Sequence, residues 1–394
     1  MRKRQLYRDL YENLQKKQIS LIIGARQTGK TTLMKQLENA LLKEKKATFF
    51  ISLEDPKIKE LLNQHPEKLF EIIPLINKNA KQYVFIDEIQ YLNDPSNFLK
   101  YHFDKYQDSI KLVVSGSSAF YINKKFTDSL AGRKRIFKLY TLSLEELIIF
   151  RGKDELLPFI GKQNIPLIYR NVINNFLIEY LIYGGYPEVI TEENPTEKKQ
   201  IIKELATSYI QKDINESGIN YPEIYMKLMM IISSQVGNLF TYHKLAKDLG
   251  KSSPTIESYV TQMRKSFHLS MISPYFNNIS KELRKLPKIY FNDIGLRNYF
   301  VNNFDAPSLR NDIGNLFENF IFRRFLEKYD ELDIQFWRTQ KQNEVDFIIQ
   351  KNKAYEVKYR QSSYKESKYK FFKENYPEMP FQLITFDNCL EMDL

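Results

Sequence analysis

The stretch Leu21-Ile22-Ile23-Gly24-Ala25-Arg26-Gln27-Thr28-Gly29-Lys30-Thr31-Thr32 decides the fold of the first third of the chain. Three apolar residues lead into a loop with a glycine at each end, and a helical pattern follows the loop. The loop matches G-x-x-x-x-G-K-[ST], a pattern in which backbone N–H groups and a helix N-terminus surround phosphate oxygens. The alternative is a tight surface turn of chance composition. The flanking apolar and amphipathic segments favour a strand, a phosphate-binding loop and a helix.

The residue types in this loop predict how it would hold a nucleoside triphosphate such as ATP. Lys30 is expected to reach the β- and γ-phosphates and to act in catalysis, and the Thr31 hydroxyl is expected to bind Mg²⁺. The other loop residues supply backbone N–H groups. The predicted nucleotide-binding residues are Gly24, Ala25, Arg26, Gln27, Thr28, Gly29, Lys30, Thr31 and Thr32.

The composition of the chain limits the classes of protein to which it can belong. Its 394 residues contain 59 Lys and Arg against 48 Asp and Glu, a net charge of +11. This excess favours nucleic acid, an anionic membrane or an acidic protein as partner, and a lysine-rich proteome is the alternative explanation. The single cysteine, Cys389, excludes an internal disulfide framework. Because no run approaches about 18 apolar residues, we expect a cytoplasmic protein without a membrane span.

The order of strand and helix patterns predicts an α/β protein with four parts. Strand-like segments at 19–23, 48–53, 83–86, 111–114 and 135–139 alternate with helical ones, which is typical of a parallel sheet covered by helices. Helices then dominate, and two helices across Gly250 followed by a hairpin give the outline of a winged helix. The predicted domains are a phosphate-binding domain (1–142), a helical lid (143–220), a winged helix (221–305) and a terminal α/β domain (306–394).

Two acidic residues follow the strand at 83–86. Because ligands of open α/β sheets lie at the carboxyl ends of the strands, Asp87 and Glu88 should face the phosphate-binding loop. Asp87 is predicted to hold Mg²⁺ together with Thr31, and Glu88 to orient or deprotonate the attacking water. The alternative is a capping pair for the next helix.

Polar residues at two further places are candidates for the same reaction. Ser115 and Ser117 end the next strand and are predicted to sense the γ-phosphate or the water, whereas the alternative is an N-cap for the following helix. Arg133 is predicted to act in trans on the γ-phosphate of a neighbouring copy in a homo-oligomer. A solvated or salt-bridged arginine is the alternative at that position.

The terminal domain contains a second group of charged residues. Glu356 and Lys358 share one face of a strand, and a hairpin can bring Asp346 beside them. Glu318 on the preceding helix completes a set that could bind Mg²⁺ and stabilise a hydroxide at a phosphodiester. The alternatives are a solvated ion pair on an exposed strand and a remnant that binds DNA without cutting it.

The winged-helix segment contains cations and hydroxyl groups that suit DNA phosphates. The alternative is a module for packing or protein contacts. Lys288 belongs to the predicted wing as well. The predicted DNA-binding residues are Lys251, Ser252, Ser253, Thr255 and Tyr259 around the second helix, and Lys281, Arg284 and Lys285 in the basic turn.

The order of motifs resembles the prokaryotic AAA+ ATPases that have a C-terminal domain of unknown function (DUF4143-like). In the first half the resemblance rests on the phosphate loop, Ile86-Asp87-Glu88-Ile89-Gln90, Ser115-Gly116-Ser117-Ser118, Leu130-Ala131-Gly132-Arg133 and Leu142-Ser143-Leu144-Glu145-Glu146. In the second half it rests on Tyr183-Gly184-Gly185-Tyr186-Pro187-Glu188, Lys288-Ile289-Tyr290-Phe291-Asn292-Asp293-Ile294-Gly295-Leu296 and Gly314-Asn315-Leu316-Phe317-Glu318. The resemblance implies an AAA+ P-loop core, a helical lid, a winged helix and a terminal domain of the PD-(D/E)XK nuclease-like fold. Serine stands after the fourth strand where many AAA+ proteins have Asn or Thr.

The sequence thus predicts an ATPase that hydrolyses ATP to ADP with Mg²⁺ and that acts on or near DNA. Two alternatives stay open. One is an ATP-dependent DNA nuclease that cuts with Asp346, Glu356 and Lys358. The other is a nucleotide-gated regulator with little turnover.

Overall fold

A computed structural model describes residues 2–73, 81–116, 130–217, 219–275 and 286–392. The chain divides into two compact units. The first consists of Met1–Tyr140 with Lys265–Phe267, and the second consists of Thr141–Arg264 with His268–Leu394. The second unit therefore contains the segments predicted as lid, winged helix and terminal domain.

The first unit is built around a parallel five-stranded sheet in the order β2-β3-β4-β1-β5. This arrangement confirms the predicted α/β class. Its elements are α1 (Leu6–Asn13), β1 (Ile19–Ile23), α2 (Lys30–Lys43), β2 (Thr48–Ser52), α3 (Pro56–Gln64), α4 (Leu69–Ile72), β3 (Gln82–Asp87), α5 (Pro95–Tyr106), β4 (Ile110–Gly116) and β5 (Lys134–Lys138).

Both faces of this sheet are buried, as expected when helices cover a parallel sheet on each side. Successive residues of a strand point to opposite faces, so Ile22 packs with α1 and α2 whereas Leu21 and Ile23 pack with α5. The central strands β1, β3 and β4 are buried along their whole length. Their carboxyl ends consequently meet at one fixed edge of the sheet.

The second unit begins with helices and continues into a short antiparallel sheet formed by β6 and β7. Two helices followed by this pair of strands occur in the order that a winged helix requires, and that classification stays a prediction. The elements are α6 (Leu144–Phe150), α7 (Leu167–Tyr183), α8 (Pro187–Thr191), α9 (Pro195–Ser217), α10 (Pro222–Ser234), α11 (Tyr242–Leu249), α12 (Ser253–Lys265), β6 (Leu269–Ile272), β7 (Lys288–Phe291) and α13 (Ile294–Phe300).

The last part of the second unit is a four-stranded sheet in the order β11-β10-β9-β8, in which only β10 and β11 pair in parallel. The helix α14 packs against β10 and β7. The elements are α14 (Ile313–Lys328), β8 (Ile334–Arg338), β9 (Glu344–Ile349), β10 (Lys353–Val357), α15 (Lys370–Asn375) and β11 (Phe381–Ile384).

A buried carboxylate joins the glycine-containing turn after α7 to the start of the helix α13 inside the second unit. Asp293 accepts hydrogen bonds from the backbone N–H groups of Gly185 and Leu296, each at 2.9 Å. Gly184 has a φ of +74°, and a Cβ there would lie 2.5 Å from Asp293 Oδ1. A Cβ on Gly295 would lie 2.1 Å from the Tyr183 carbonyl oxygen. Only glycine therefore fits at either position.

We predict that Gly184→Ala destabilises the second unit by more than about 2 kcal/mol, because it adds a steric clash to an unfavourable positive φ. The matched control is Gly314→Ala in α14, where an added Cβ meets no atom within 4 Å. That change should be neutral or slightly stabilising. Thermal unfolding followed by circular dichroism measures the difference, and equal midpoints for the two variants would contradict the steric argument.

Candidate functional site

The phosphate loop connects the end of β1 to the start of α2, and its shape depends on its two glycines. A Cβ on Gly24 would lie 2.1 Å from the Leu139 carbonyl oxygen, so the close approach of the two chain segments excludes any side chain. Gly29 has a φ of +94° and precedes the first helical residue. Gln27 is also left-handed, with a φ of 53°. Alternation of backbone handedness turns successive N–H groups towards one concave side, which suits an anion.

Lys30 is held at the centre of this loop. Its side chain is buried, and Nζ donates hydrogen bonds to the carbonyl oxygens of Gly24 at 3.1 Å and Ala25 at 2.9 Å. Burial lowers the pKa of Lys30, while Glu88 and Asp87 oppose that shift. The negative charges of Glu88 and Asp87 therefore favour the charged form of Lys30, the residue predicted to bind the phosphates.

The residues Thr31, Asp87 and Ser115 form one hydrogen-bonded chain at the carboxyl edge of the sheet. The Thr31 hydroxyl donates to Asp87 Oδ2 at 2.6 Å, and the Ser115 hydroxyl donates to Asp87 Oδ1. The hydroxyl and carboxylate that were predicted to hold Mg²⁺ thus lie together. Both offer oxygen ligands, which a hard cation such as Mg²⁺ prefers, so these residues fit the metal.

Glu88 is placed by its backbone and by two neighbours. Its φ is 59°, a left-handed conformation that is uncommon outside glycine and is often found at functional sites. Its N–H donates to Ser115 Oγ at 3.0 Å, and Gln90 Nε2 donates to Glu88 Oε2. Ser115, predicted as a sensor, therefore contacts both acidic residues. The contribution of Gln90 was not predicted from the sequence.

Arg4 is a further residue of this region that the sequence reasoning missed. Its guanidinium donates to the carbonyl oxygen of Thr28 in the loop at 2.7 Å and to that of Tyr140 at 2.8 Å. Only 9% of the residue is exposed. An arginine in a basic N-terminal segment gives no local signal of such a role, because its two partners lie far away in the sequence.

One of the predicted catalytic residues, Arg133, is not brought to this edge. Arg133 precedes β5 at the opposite end of the sheet, where its carbonyl oxygen accepts from the Ile19 N–H. Its guanidinium binds both carboxylate oxygens of Asp104, at 2.7 and 3.2 Å. Within its own chain Arg133 forms a salt bridge, as the alternative interpretation expected. Its action on the γ-phosphate of a neighbouring copy stays a prediction. Ser117 lies outside the described residues.

The nuclease-like residues Asp346, Glu356 and Lys358 do lie together in the second unit. Lys358 Nζ donates to Glu356 Oε1 and is 3.7 Å from Asp346 Oδ2. Asp346 Oδ2 also accepts from the Val357 N–H at 2.9 Å, and Tyr369 donates to Glu356 Oε1 at 2.6 Å. Glu356 is buried, so the alternative of a solvated ion pair on an exposed strand is wrong for this carboxylate.

Glu318 also points to Asp346, but a lysine lies between them. Lys288 Nζ is 3.2 Å from Glu318 Oε1, 3.5 Å from Asp346 Oδ1 and 2.6 Å from Glu344 Oε1. We call Lys288, Glu318, Glu344 and Asp346 the Lys288 cluster. Lys288 was predicted to be a cation of the wing that suits phosphate contacts, and such a contact is wrong for this residue because its side chain is only 1% exposed. A lysine at the start of a short apolar strand gave no sign of this contact.

Burial and mutual repulsion perturb the carboxyl groups. Burial raises the pKa of Glu318 to about 7, and Lys288 partly opposes this shift. Burial and the nearby Asp346 raise the pKa of Glu356 to about 8 against the effect of Lys358. In the described ranges, no group of three or more acidic, His or Cys side chains is arranged to hold a metal ion.

The predicted DNA-binding residues divide into three groups. Ser252 and Thr255 bond to each other at the start of α12, and Lys251 Nζ lies 3.3 Å from the centre of the Tyr221 ring. Tyr259 is a wrong assignment because it is 5% exposed and its hydroxyl accepts from the Tyr221 N–H. Lys281, Arg284 and Lys285 lie outside the described residues.

A helix that crosses a membrane must be both long and apolar. Across the described part of the chain, none of the helices meets both requirements.

Together, the parallel sheet and the phosphate loop define a P-loop nucleotide-binding protein. Three family models match the chain: an AAA domain over residues 16–148, a domain of unknown function (DUF8612) over 174–307, and a domain of unknown function (DUF4143) over 313–388. The chain therefore combines an AAA domain with a DUF4143 domain that follows it towards the C-terminal end. The resemblance expected from the motifs is thereby confirmed.

The relatives that match are themselves proteins without an assigned activity. "Uncharacterized protein MJ1544" of Methanocaldococcus jannaschii is 26% identical over 355 residues, which cover 87% of this chain and 74% of that protein. "Uncharacterized protein Rv2008c" of Mycobacterium tuberculosis is 22% identical over 335 residues, covering 84% and 67%.

Solved structures give only weak likenesses. The ORC1 protein of Aeropyrum pernix in complex with DNA has a TM-score of 0.30 and 10% identity, covering 75% of this chain and 91% of that one. The replication initiator DnaA bound to AMPPCP and single-stranded DNA has a TM-score of 0.31 and 12% identity, covering 66% and 86%. Similarities at this level carry no argument about this chain.

We predict that Arg4→Ala lowers the stability of the first unit by at least about 1 kcal/mol, because two carbonyl groups lose a charged donor. Arg8→Ala is the matched control, since the Arg8 side chain is 87% exposed and pairs with Glu12 in the same helix. The control should leave the unfolding midpoint unchanged. Differential scanning calorimetry of the nucleotide-free protein tests this prediction, and equal effects of the two changes would refute it.

Proposed function

We propose that this protein hydrolyses ATP to ADP in the presence of Mg²⁺. One observation carries the proposal: a continuous set of hydrogen bonds links Thr31, Asp87, Ser115 and the backbone of Glu88 at the carboxyl edge of the sheet. Thr31 belongs to the phosphate loop, which follows β1. Glu88 follows β3, which is separated from β1 in the sheet by β4. The loop that would hold the phosphates and the acid that would act on water are thereby fixed relative to each other.

The roles follow from the charge and geometry of each residue. Backbone N–H groups of the loop and the ammonium of Lys30 would bind the phosphate oxygens and oppose their negative charge. Thr31 and Asp87 would hold the metal, which when bound supplies positive charge to the phosphates. Ser115 acts as a positioning residue, because one hydroxyl contacts both acids.

Glu88 is the proposed general base. A carboxylate can accept a proton from water as the water attacks, and such assistance contributes about 10²–10⁴-fold to a rate. Its left-handed backbone turns it away from the path of β3, and the amide of Gln90 fixes one carboxylate oxygen. This leaves the other oxygen, Oε1, as the atom that would take the proton.

We predict that Glu88→Gln reduces the hydrolysis rate by about 10²-fold or more while ATP binding persists, because the amide keeps the shape and loses the basicity. Lys30→Ala should abolish the ATP-dependent rise in the unfolding midpoint. Glu60→Gln, at an exposed acid on α3, is the control and should change neither quantity. Steady-state phosphate release measures the hydrolysis rate, and thermal shift measures the ATP-dependent rise in the unfolding midpoint.

A nucleotide-gated regulator with little turnover is the second candidate. The contact that favours it is the Gln90–Glu88 hydrogen bond, which restrains the proposed base. In that case the unmodified protein would bind ATP with a hydrolysis rate already as low as that of Glu88→Gln. The same two measurements therefore separate the two functions.

We further propose that nucleotide turnover is coupled to DNA. The net charge of +11 and the half-exposed Lys251, which precedes α12, support binding to phosphates. The convergence of Asp346, Glu356 and Lys358 favours DNA cleavage as a further activity, but the position of Lys288 argues against a metal ion there. Binding, and not cleavage, is therefore the role that we propose for the second unit.

We predict that Lys251→Ala weakens DNA binding by a similar factor for every sequence and reduces the slope of log K against log salt by about 1. The physical reason is that one phosphate contact is lost, so that fewer counterions are released when the protein binds. Lys203→Ala removes the same charge from an exposed position on α9 and should have no effect. Fluorescence anisotropy at several salt concentrations is the measurement, and indistinguishable slopes for both variants would count against a DNA contact at α12.

A further inference from the structure

The Lys288 cluster places one ammonium group among three carboxylates. The distances from Lys288 Nζ are 2.6 Å to Glu344, 3.2 Å to Glu318 and 3.5 Å to Asp346. The acids come from two elements, since β9 supplies Glu344 and Asp346 and α14 supplies Glu318, and the lysine comes from a third element, β7. An ammonium with three N–H donors matches three acceptors.

The oxygens of the cluster have further partners that fix their directions. Tyr290 donates to Glu318 Oε1 at 2.7 Å, and Arg338 donates to Glu344 Oε2 at 2.7 Å. Asp346 uses its two oxygens differently, since Oδ1 faces Lys288 while Oδ2 accepts from the Val357 N–H. The carboxylate oxygens that would bind a metal ion are thus already directed at chain donors.

Backbone contacts hold Lys288 where it is. Its strand pairs with β6, with Lys288 opposite Ile272. Asn319 of α14 donates to the Phe291 carbonyl and accepts from the Phe291 N–H, at 2.8 and 2.9 Å. Burial opposes the charged form of Lys288, but Glu318, Asp346 and Glu344 outweigh it and hold its pKa well above the usual value.

A buried ammonium and a divalent ion cannot share this position. A divalent ion needs oxygen ligands at about 2.0–2.6 Å, which is the space that Nζ occupies, and the two positive charges would repel at a position where the Lys288 side chain is only 1% exposed. Glu356, which lies outside the cluster, is a further buried carboxylate and shares Lys358 with Asp346. Its Oε2 is buried and has no hydrogen-bond partner among the described residues.

We propose that Lys288 is a built-in cation that takes the place of a divalent metal ion among Glu318, Glu344 and Asp346. The second unit accordingly needs no metal at this cluster and does not hydrolyse phosphodiesters through it. Removal of the ammonium converts the cluster into a site for one divalent cation. The inference is independent of ATP hydrolysis in the first unit.

The test is Mn²⁺ binding to the full-length, nucleotide-free protein, measured by electron paramagnetic resonance and by thermal shift. Lys288→Met should gain one bound Mn²⁺ per chain and a Mn²⁺-dependent rise in the unfolding midpoint, and adding Asp346→Asn should remove both. Lys198→Met is the matched control. Lys198 is equally buried at 3% exposure but pairs with a single carboxylate, Glu179. Its replacement should gain no Mn²⁺.

Three results would overturn the proposal. The first is a Mn²⁺ ion bound by the unmodified protein and lost in Asp346→Asn. The second is a folded Lys288→Met that gains no Mn²⁺. The third is Mn²⁺-dependent nicking of plasmid DNA by the unmodified protein that Lys358→Ala abolishes. If Lys288→Met does not fold, comparison of the unmodified protein with Asp346→Asn decides the matter, since equal Mn²⁺ binding by both supports the proposal.

Discussion

The strand β4 forms parallel hydrogen bonds with β1 on one side and with β3 on the other, and the nucleotide site depends on this pairing. The register brings the ends of all three strands to one edge. Thr31, Asp87 and Ser115 can therefore form direct hydrogen bonds although they are far apart in the sequence. Both faces of the sheet are packed with apolar side chains, so a slip in register would cost core packing as well as the site.

The second unit depends on a different constraint, which is the compensation of buried charge. Ionised groups in a protein interior are stable only when they are paired, and the eight residues from Lys288 to Gly295 provide two such pairings. Lys288 compensates three carboxylates at the start of β7, and Asp293 binds the backbone N–H groups of Gly185 and, within α13, of Leu296. The same short segment thus fixes the interior of the terminal domain and the turn at Gly184.

Local patterns were sufficient to predict the phosphate loop, the acids after β3 and most strands, because each of these depends on neighbours within a few residues. Tyr259 shows where such reasoning fails. Its place on a helix beside lysine and serine suggested a DNA contact, but the Tyr221 backbone and the Tyr225 ring enclose it. Arg4 was missed for the converse reason, since its partners, the carbonyl groups of Thr28 and Tyr140, are far away in the sequence.

By itself, the sequence determined the α/β class, the nucleotide-binding loop and the family, since a glycine-ended loop between a strand and a helix has few other uses. Tertiary structure alone decided which charges meet. Glu318, Asp346, Glu356 and Lys358 have the spacing expected of a metal site, yet the lysine that enters from β7 changes what that group can bind. The physical reason is that an ammonium and a carboxylate interact through space, and their distance along the chain carries no information about their distance in the fold.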